Sequence, residues 1–170
     1  MEKQDQSISL GKPMTDFEYV DFEVEKEPWN RYRLEDKSIL KTRFILINIF
    51  AEKGWRQKVQ KVKGSKDEVG IAMRLQPTTI SGVQIVEPKL FGTPATGNYT
   101  HRELVSSVVK SDLDIEVISE LWNIYRLPEN FVVKVKNSPV NVARTSKFDG
   151  EGVPIYLVDF SADMKIGPRT

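Results

Sequence analysis

The feature that most constrains the fold is an internal repeat, because residues 21–50 and 114–143 align without a gap at a spacing of 93 residues. The first range reads DFEVEKEPWNRYRLEDKSILKTRFILINIF and the second reads DIEVISELWNIYRLPENFVVKVKNSPVNVA. Eleven of the 30 aligned positions are identical, where average composition gives about two by chance. Such self-similarity is typical of a duplicated structural unit. The shared residues are Asp21/Asp114, Glu23/Glu116, Val24/Val117, Glu27/Glu120, Trp29/Trp122, Asn30/Asn123, Tyr32/Tyr125, Arg33/Arg126, Leu34/Leu127, Lys41/Lys134 and Asn48/Asn141.

Each copy has the residue pattern of a strand, a turn and a second strand. In residues 29–34 the even-numbered side chains are predicted to point to one face and the odd-numbered ones to the other. Polar connections of hairpin length follow, at residues 35–38 and 128–130. Long β-branched segments come next, at 39–50 and 132–143. Pro139 lies inside the second of these, and since proline has no N–H to donate, an edge or a bulge is predicted there.

After the long strands the two copies differ. Copy one has an insert, residues 52–69, before predicted strands at 70–75 and 80–86, whereas copy two reaches its last strand, 153–160, through a turn-rich loop at 147–152. Between the copies, Thr100 and Glu103 have the spacing of a capping box. A helix is predicted after Thr100, with an apolar stripe formed by Leu104, Val105, Val108 and Val109. For residues 115–118 the alignment with copy one favours a strand over a helix.

The predicted fold is mainly β with one or two helices, in the all-β or α+β class. The duplication predicts two pseudo-twofold-related small β-barrel or sandwich units; alternatively, the copies exchange strands in one continuous sheet. The expected organisation is a flexible tail at 1–13, repeat 1 at 14–90, a connector with a helix at 91–111, and repeat 2 at 112–170. The two repeats are also compatible with one compact domain.

Composition excludes several kinds of site. The sequence has no cysteine and one histidine, His101, so disulfides, thiolate metal sites and His-rich metal sites are excluded. A net charge of +1 argues against a polyanion binder that uses its whole surface, although a local basic patch is compatible with it. The longest apolar run, Phe44–Ala51, is interrupted by Asn48 and is far shorter than the roughly 18 residues of a membrane span. We therefore expect no membrane partner and a cytoplasmic location.

The repeated Trp-Asn-x-Tyr-Arg-Leu has two interpretations. Structurally, the aromatic residues anchor the core and the arginines pair with nearby acids. Functionally, the same residues form an aromatic and arginine-rich surface for stacking on bases or gripping a partner. The asparagines that interrupt the long strands are expected to satisfy backbone groups or to fix register. The structural interpretation is favoured for Trp29, Tyr32, Arg33, Asn48, Trp122, Tyr125, Arg126 and Asn141.

Charge is arranged in two opposite blocks. Residues 16–27 contain six acids and one lysine, and residues 53–66 contain six bases and no acid, with one tryptophan among them. The basic block is predicted to be a mobile loop or a short helix that contacts phosphate or an acidic surface, or simply a solvated loop. The residues predicted to bind a partner or nucleic acid are Lys53, Trp55, Arg56, Lys58, Lys61, Lys63 and Lys66.

Three functional hypotheses follow. The first is a non-enzymatic interaction or assembly protein, with a protein partner or self-association through exposed strand edges and opposite charge blocks. The second is an RNA- or DNA-binding module that uses the basic block at 53–66, together with Arg31, Arg33 and Arg126. The third is an enzyme with a site between the repeats. The sequence contains no phosphate-loop, dinucleotide or nucleophile-elbow motif, so no catalytic residue, metal or cofactor is predicted. Functional differences are expected where the copies diverge, including the Gly/Pro-rich connector at 91–97.

Overall fold

The computed structural model describes residues 11–61 and 70–169. Within these ranges the helices are α1 (Trp55–Lys61) and α2 (His101–Ser106), with short 3-10 turns at Met14–Asp16, Pro88–Leu90 and Pro128–Asn130. The strands are β1 (Phe17–Val20), β2 (Glu23–Lys26), β3 (Trp29–Leu34), β4 (Ile39–Glu52), β5 (Met73–Gln84), β6 (Val108–Lys110), β7 (Ile115–Ser119), β8 (Asn123–Leu127), β9 (Phe131–Phe148) and β10 (Pro154–Pro168).

The strands form two antiparallel sheets. In sheet A, β7, β3, β4 and β5 lie side by side, and β1 pairs with the far end of β4. In sheet B, β2, β8, β9 and β10 lie side by side, and β6 pairs with the far end of β9. The prediction of a mainly β fold is confirmed. The barrel alternative is wrong, because neither sheet closes on itself in the part of the chain that the structure describes.

Strands β2 and β7 each pair with a strand that is distant from them in the sequence. Strand β2 pairs with β8 in sheet B, and β7 pairs with β3 in sheet A. The two pairings have the same register: Val24 lies opposite Tyr125, and Val117 lies opposite Tyr32. The described strands therefore form two sheets, and the alternative of one continuous sheet is wrong for the described residues.

Both long strands are bulged at matching positions. The register of β4 against β5 shifts between Leu46 and Asn48, and that of β9 against β10 shifts beside Val140. The extra residues are Ile47 and Val140, which are 52% and 60% exposed. The predicted irregularity near Pro139 is confirmed, and the β4 bulge also lies beside a proline, because Pro77 of β5 is opposite Leu46.

The two sheets pack against each other and bury two apolar clusters. The first contains Tyr125, Leu127 and Val133 of sheet B with Ile49 of β4 and Trp55 of α1. The buried residues of the second cluster are Tyr32, Leu34, Leu40, Leu113 and Val142. Since β4 and β9 contribute to both clusters, the long strands join the two ends of the molecule. Each fully buried large side chain stabilises the fold by about 1.5–3 kcal/mol.

Two predicted segments differ from the structure. The capping box at Thr100 and Glu103 is confirmed, but α2 ends at Ser106, and Val108 and Val109 lie in β6. The valines pair there because β9 offers an open edge to a β-branched segment. The two strands predicted at 70–75 and 80–86 are a single strand, β5. The predicted tail at 1–13 lies mostly outside the described residues, and no described helix is long and apolar enough to cross a membrane.

Candidate binding surfaces

The tyrosines and glutamates that are identical in the two aligned segments form hydrogen bonds between these segments. The Tyr32 hydroxyl donates to Glu120 at 2.8 Å, and the Tyr125 hydroxyl donates to Glu27 at 3.0 Å. Both tyrosines are fully buried. Burial is the main cause that raises the pKa of each tyrosine above its usual value, and the hydrogen bond to a glutamate adds to it. These groups are structural, since they lie in the interior and each has a partner.

The shared arginines also make equivalent contacts. Arg126 pairs with Glu23 at 2.7 Å across β8 and β2, and Arg33 pairs with Glu116 at 3.3 Å across β3 and β7. Both pairs are exposed, so each contributes at most about 1 kcal/mol. These ion pairs favour the observed register of the strands, because a shift of one residue would separate the charges.

The asparagines that interrupt the long strands also have equivalent partners. The Asn48 side chain donates to Gln76 at 2.7 Å, and the Asn141 side chain donates to Asp159 at 3.3 Å. In each case the acceptor is the residue directly opposite on the neighbouring strand, beside the bulge. The expectation that these asparagines fix register is therefore consistent with the geometry.

Trp29 lies on the outer face of sheet A. Strand β3 alternates between exposed and buried side chains, as predicted, so Trp29 faces outward and is 45% exposed. Lys41 and Arg43 on the adjacent strand lie 5.5 Å and 5.9 Å from the ring centroid. A shallow cleft of about 420 Å³ separates the ring from Ile80 and its neighbours on β5. The structural interpretation thus applies to Tyr32 of this motif but not to Trp29, whose ring lies on a cationic surface.

Trp122 has the equivalent place on the outer face of sheet B. Its ring is half-buried, and the ammonium groups of Lys136 and Lys165 lie 5.0 Å and 4.9 Å from its centroid. A cleft of about 300 Å³ adjoins the ring and is lined by Lys26, Leu121, Trp122, Ile124, Lys134 and Lys165. A second cleft of about 420 Å³ continues from it toward Arg169, because both clefts share Ile124, Lys134 and Lys165. We call this continuous depression the Trp122 groove.

Two of the outermost strands, β5 of sheet A and β10 of sheet B, differ in charge. Among the described strands, β5 pairs with β4 alone and β10 pairs with β9 alone, so each has one open side. Residues 75–86, which contain most of β5, carry no charged side chain, whereas β10 carries Asp159, Asp163 and Lys165. Charged residues on an edge strand normally discourage pairing with another chain. Strand β5 has no such charge between Leu75 and Gln84, although Pro77 removes one donor.

In the described part of the basic block, residues 53–61, several side chains make contacts within the molecule. Trp55 is 1% exposed and packs in the core, so its side chain, which was predicted to bind a partner or nucleic acid, is not accessible to one. Lys58 pairs with Glu52 at 2.7 Å, and Arg56 lies 3.9 Å from Glu129. Lys53 and Lys61 are exposed, and Lys63 and Lys66 lie outside the described residues. The block was predicted from charge alone, which does not show that Trp55 and Val59 form the buried side of a helix.

The connector at 91–97 packs on the loop between β9 and β10. Gly92 donates its N–H to the carbonyl of Gly152 at 2.9 Å, and a Cβ at Gly92 would overlap the Phe148 ring. Gly152 has a φ of +81°, which glycine adopts without strain. Gly92 is therefore required by close packing, and the connector is a structural segment.

Two buried carboxylates were not identified from the sequence. Asp36 accepts hydrogen bonds from Tyr156 at 2.6 Å and from Arg144 at 2.8 Å. Burial alone would raise the pKa of Asp36, but the hydrogen bonds from Tyr156, Ser38 and Arg144 outweigh it and lower that pKa. A hydrogen bond from Lys58 is the largest cause that lowers the pKa of Glu52 to about 2. Both carboxylates have donors on distant segments, and no short sequence motif predicts such contacts.

The comparisons with known proteins assign no family. No protein-family model, curated protein or solved structure matches the chain. Among the described residues, no group of His, Asp and Glu has the arrangement of a metal site.

Proposed function

We propose that this chain is an interaction protein built on a duplicated, strand-exchanged β unit, and that it self-associates through the open side of β5. In this proposal residues 21–50 and 114–143 are two copies of one unit. Each copy contributes its first strand, β2 or β7, to the sheet of the other copy. The residues shared by the copies then hold the two units together.

The proposed duplication is supported by contacts that repeat at the same spacing of 93 residues. The equal registers of β2 with β8 and of β3 with β7 are one example. Further examples are the Tyr–Glu bonds, the Arg–Glu pairs and the matching bulges. Unrelated segments would have no reason to repeat all of these at one spacing. A single-copy relative would form the same arrangement as a strand-exchanged homodimer.

The observation that carries the proposed self-association is that β5 has one open side and no charged side chain from Leu75 to Gln84. Its residues from 76 to 84 are mostly exposed, and Ile80 is 46% exposed beside Trp29. Unpaired N–H and C=O groups on such a strand are complementary to those of a second β5 that runs antiparallel to it. Two copies of sheet A would then form one sheet of ten strands across a twofold axis.

Sedimentation at several concentrations tests this function. We expect the native chain to show a monomer–dimer equilibrium, and the double variant Thr78→Lys with Ile80→Lys to remain monomeric, since like charges would face each other across the twofold axis. The matched control is Ser161→Lys on the open strand β10, which leaves the equilibrium unchanged. A native chain that stays monomeric at every concentration contradicts the proposal, as does a β10 variant that dissociates the dimer equally well.

A further inference from the structure

We propose that the Trp122 groove on the outer face of sheet B binds single-stranded nucleic acid, with a base stacked on Trp122 and the phosphates along the lysines. This binding site is separate from the β5 edge and does not depend on self-association. It also differs from the basic block at 53–66, which is where charge density alone would place a nucleic-acid site.

The charge of the groove is the first argument. Lys26, Lys134 and Lys165 line it, and none of them forms an ion pair with another described residue. Arg169 lies at the far end with Glu25, 3.7 Å away, as its partner. The groove therefore has an excess of positive charge although the whole chain has a net charge of only +1. Such a local excess attracts a chain of phosphates and releases their counterions.

The aromatic ring is the second argument. Trp122 lies at one end of the groove, and the side chains of Lys136 and Lys165 lie about 5 Å from its ring centroid. Bases stack on aromatic rings in single-strand-binding proteins. The two ammonium groups lie over the half-buried Trp122 ring, so in this proposal a stacked base displaces them toward the adjoining phosphates. A flat sheet face with an aromatic ring among cations is a recurring surface for single-stranded nucleic acid.

Dimensions favour a single strand over a duplex. The two joined clefts have volumes of about 300 and 420 Å³, and they follow the strand direction from Trp122 to Arg169. A groove of this size accommodates a few nucleotides and presents a stacking ring, whereas bases inside a duplex are not accessible to such a ring. An acidic peptide would satisfy the lysines, but it would gain nothing comparable from Trp122.

Fluorescence anisotropy of a labelled single-stranded oligothymidylate of about ten nucleotides tests the site. We expect the full chain to bind it at low salt and to lose affinity steeply as salt increases. The variant Trp122→Ala should bind about 5–100-fold more weakly, and Trp122→Phe should restore most of the affinity because a ring remains. The double variant Lys134→Ala with Lys165→Ala should also weaken binding and reduce its dependence on salt.

Two comparisons keep the result specific. The double variant Lys53→Ala with Lys61→Ala removes two exposed cations of the insert and should leave affinity unchanged. Heparin has charges but no bases. Retention of the protein on a heparin column should therefore fall in the lysine variants and remain unchanged in Trp122→Ala. Absence of oligothymidylate binding at low salt overturns the proposal. So does equal affinity of the native chain and the folded Trp122→Ala variant. Binding of labelled polyglutamate without binding of oligothymidylate also overturns it and would identify an acidic peptide surface.

Discussion

Tyr32 donates its hydroxyl hydrogen to Glu120 at 2.8 Å although the two residues are separated by 88 positions in the chain. The tyrosine lies on β3, and the glutamate directly follows β7, the strand that pairs with β3. The bond therefore joins the two aligned segments, residues 21–50 and 114–143, where β3 and β7 pair. Its counterpart joins Tyr125 to Glu27, which precedes β3 in the chain.

Stability at high pH is predicted to depend on the buried tyrosines. Burial raises the pKa of Tyr156 from 10.0 to about 12, and the pKa values of Tyr32 and Tyr125 are raised further. The folded state therefore retains these protons longer than the unfolded state does. Their contribution to stability is complete below pH 10 and is lost as pH increases toward 12 and above. Ultraviolet titration should show these tyrosines ionising only as the chain unfolds; ionisation in the folded chain near pH 10 would contradict this.

Stability at low pH is predicted to depend on Glu52. Its pKa is lowered from 4.5 to about 2, first by the hydrogen bond from Lys58 and then by the N–H of Ala72. The contribution is complete above pH 4.5 and is lost as pH decreases toward 2. The variant Glu52→Gln should therefore be about 1.5–3 kcal/mol less stable at neutral pH, and the difference should decrease on acidification.

Urea denaturation at several pH values measures this effect. The matched control is Glu18→Gln, a neutralised carboxylate on the exposed side of β1. We expect the control to change stability little at any pH. A Glu52→Gln variant that is as stable as the native chain at neutral pH would show that these contacts do not stabilise the fold.

The tryptophans are predicted to differ sharply in their contribution to stability. Trp55 is fully buried in the first cluster, so Trp55→Ala should cost about 3–5 kcal/mol. Trp29 is on the surface, and Trp29→Ala should cost less than about 1 kcal/mol, mainly through its neighbouring cations. Thermal or chemical unfolding of the two variants provides the measurement. Equal losses would mean that Trp29 is part of the core.

The repeat predicted β3, β4, β7 and β9 and the alternation of residues 29–34, because both depend on local periodicity. The sequence placed β6 in a helix and divided β5 into two strands. Strand exchange was one of the two predicted alternatives, but in one continuous sheet, and the sequence did not identify β2 and β7 as the strands concerned, since the choice of pairing partner depends on the connections between strands. The surface role of Trp29 and the buried role of Trp55 were also missed. Trp29 is one of the odd-numbered residues of β3 that face outward, so the alternation of β3 could have predicted its position. The burial of Trp55 instead results from the docking of α1. Lys165 joins the Trp122 groove only through the register of β10, which its sequence does not indicate.

The central claim is that the shared residues join one copy to the other, and double-mutant cycles test it most directly. The cycle Tyr32→Phe with Glu120→Gln should give a coupling energy of about 0.5–3 kcal/mol, and Tyr125→Phe with Glu27→Gln should give a similar value. The cycle Tyr32→Phe with Glu27→Gln, which combines residues of the same copy, should give a coupling near zero. Coupling of Tyr32 with Glu27 and none with Glu120 would mean that the strands are not exchanged, and it would contradict the account.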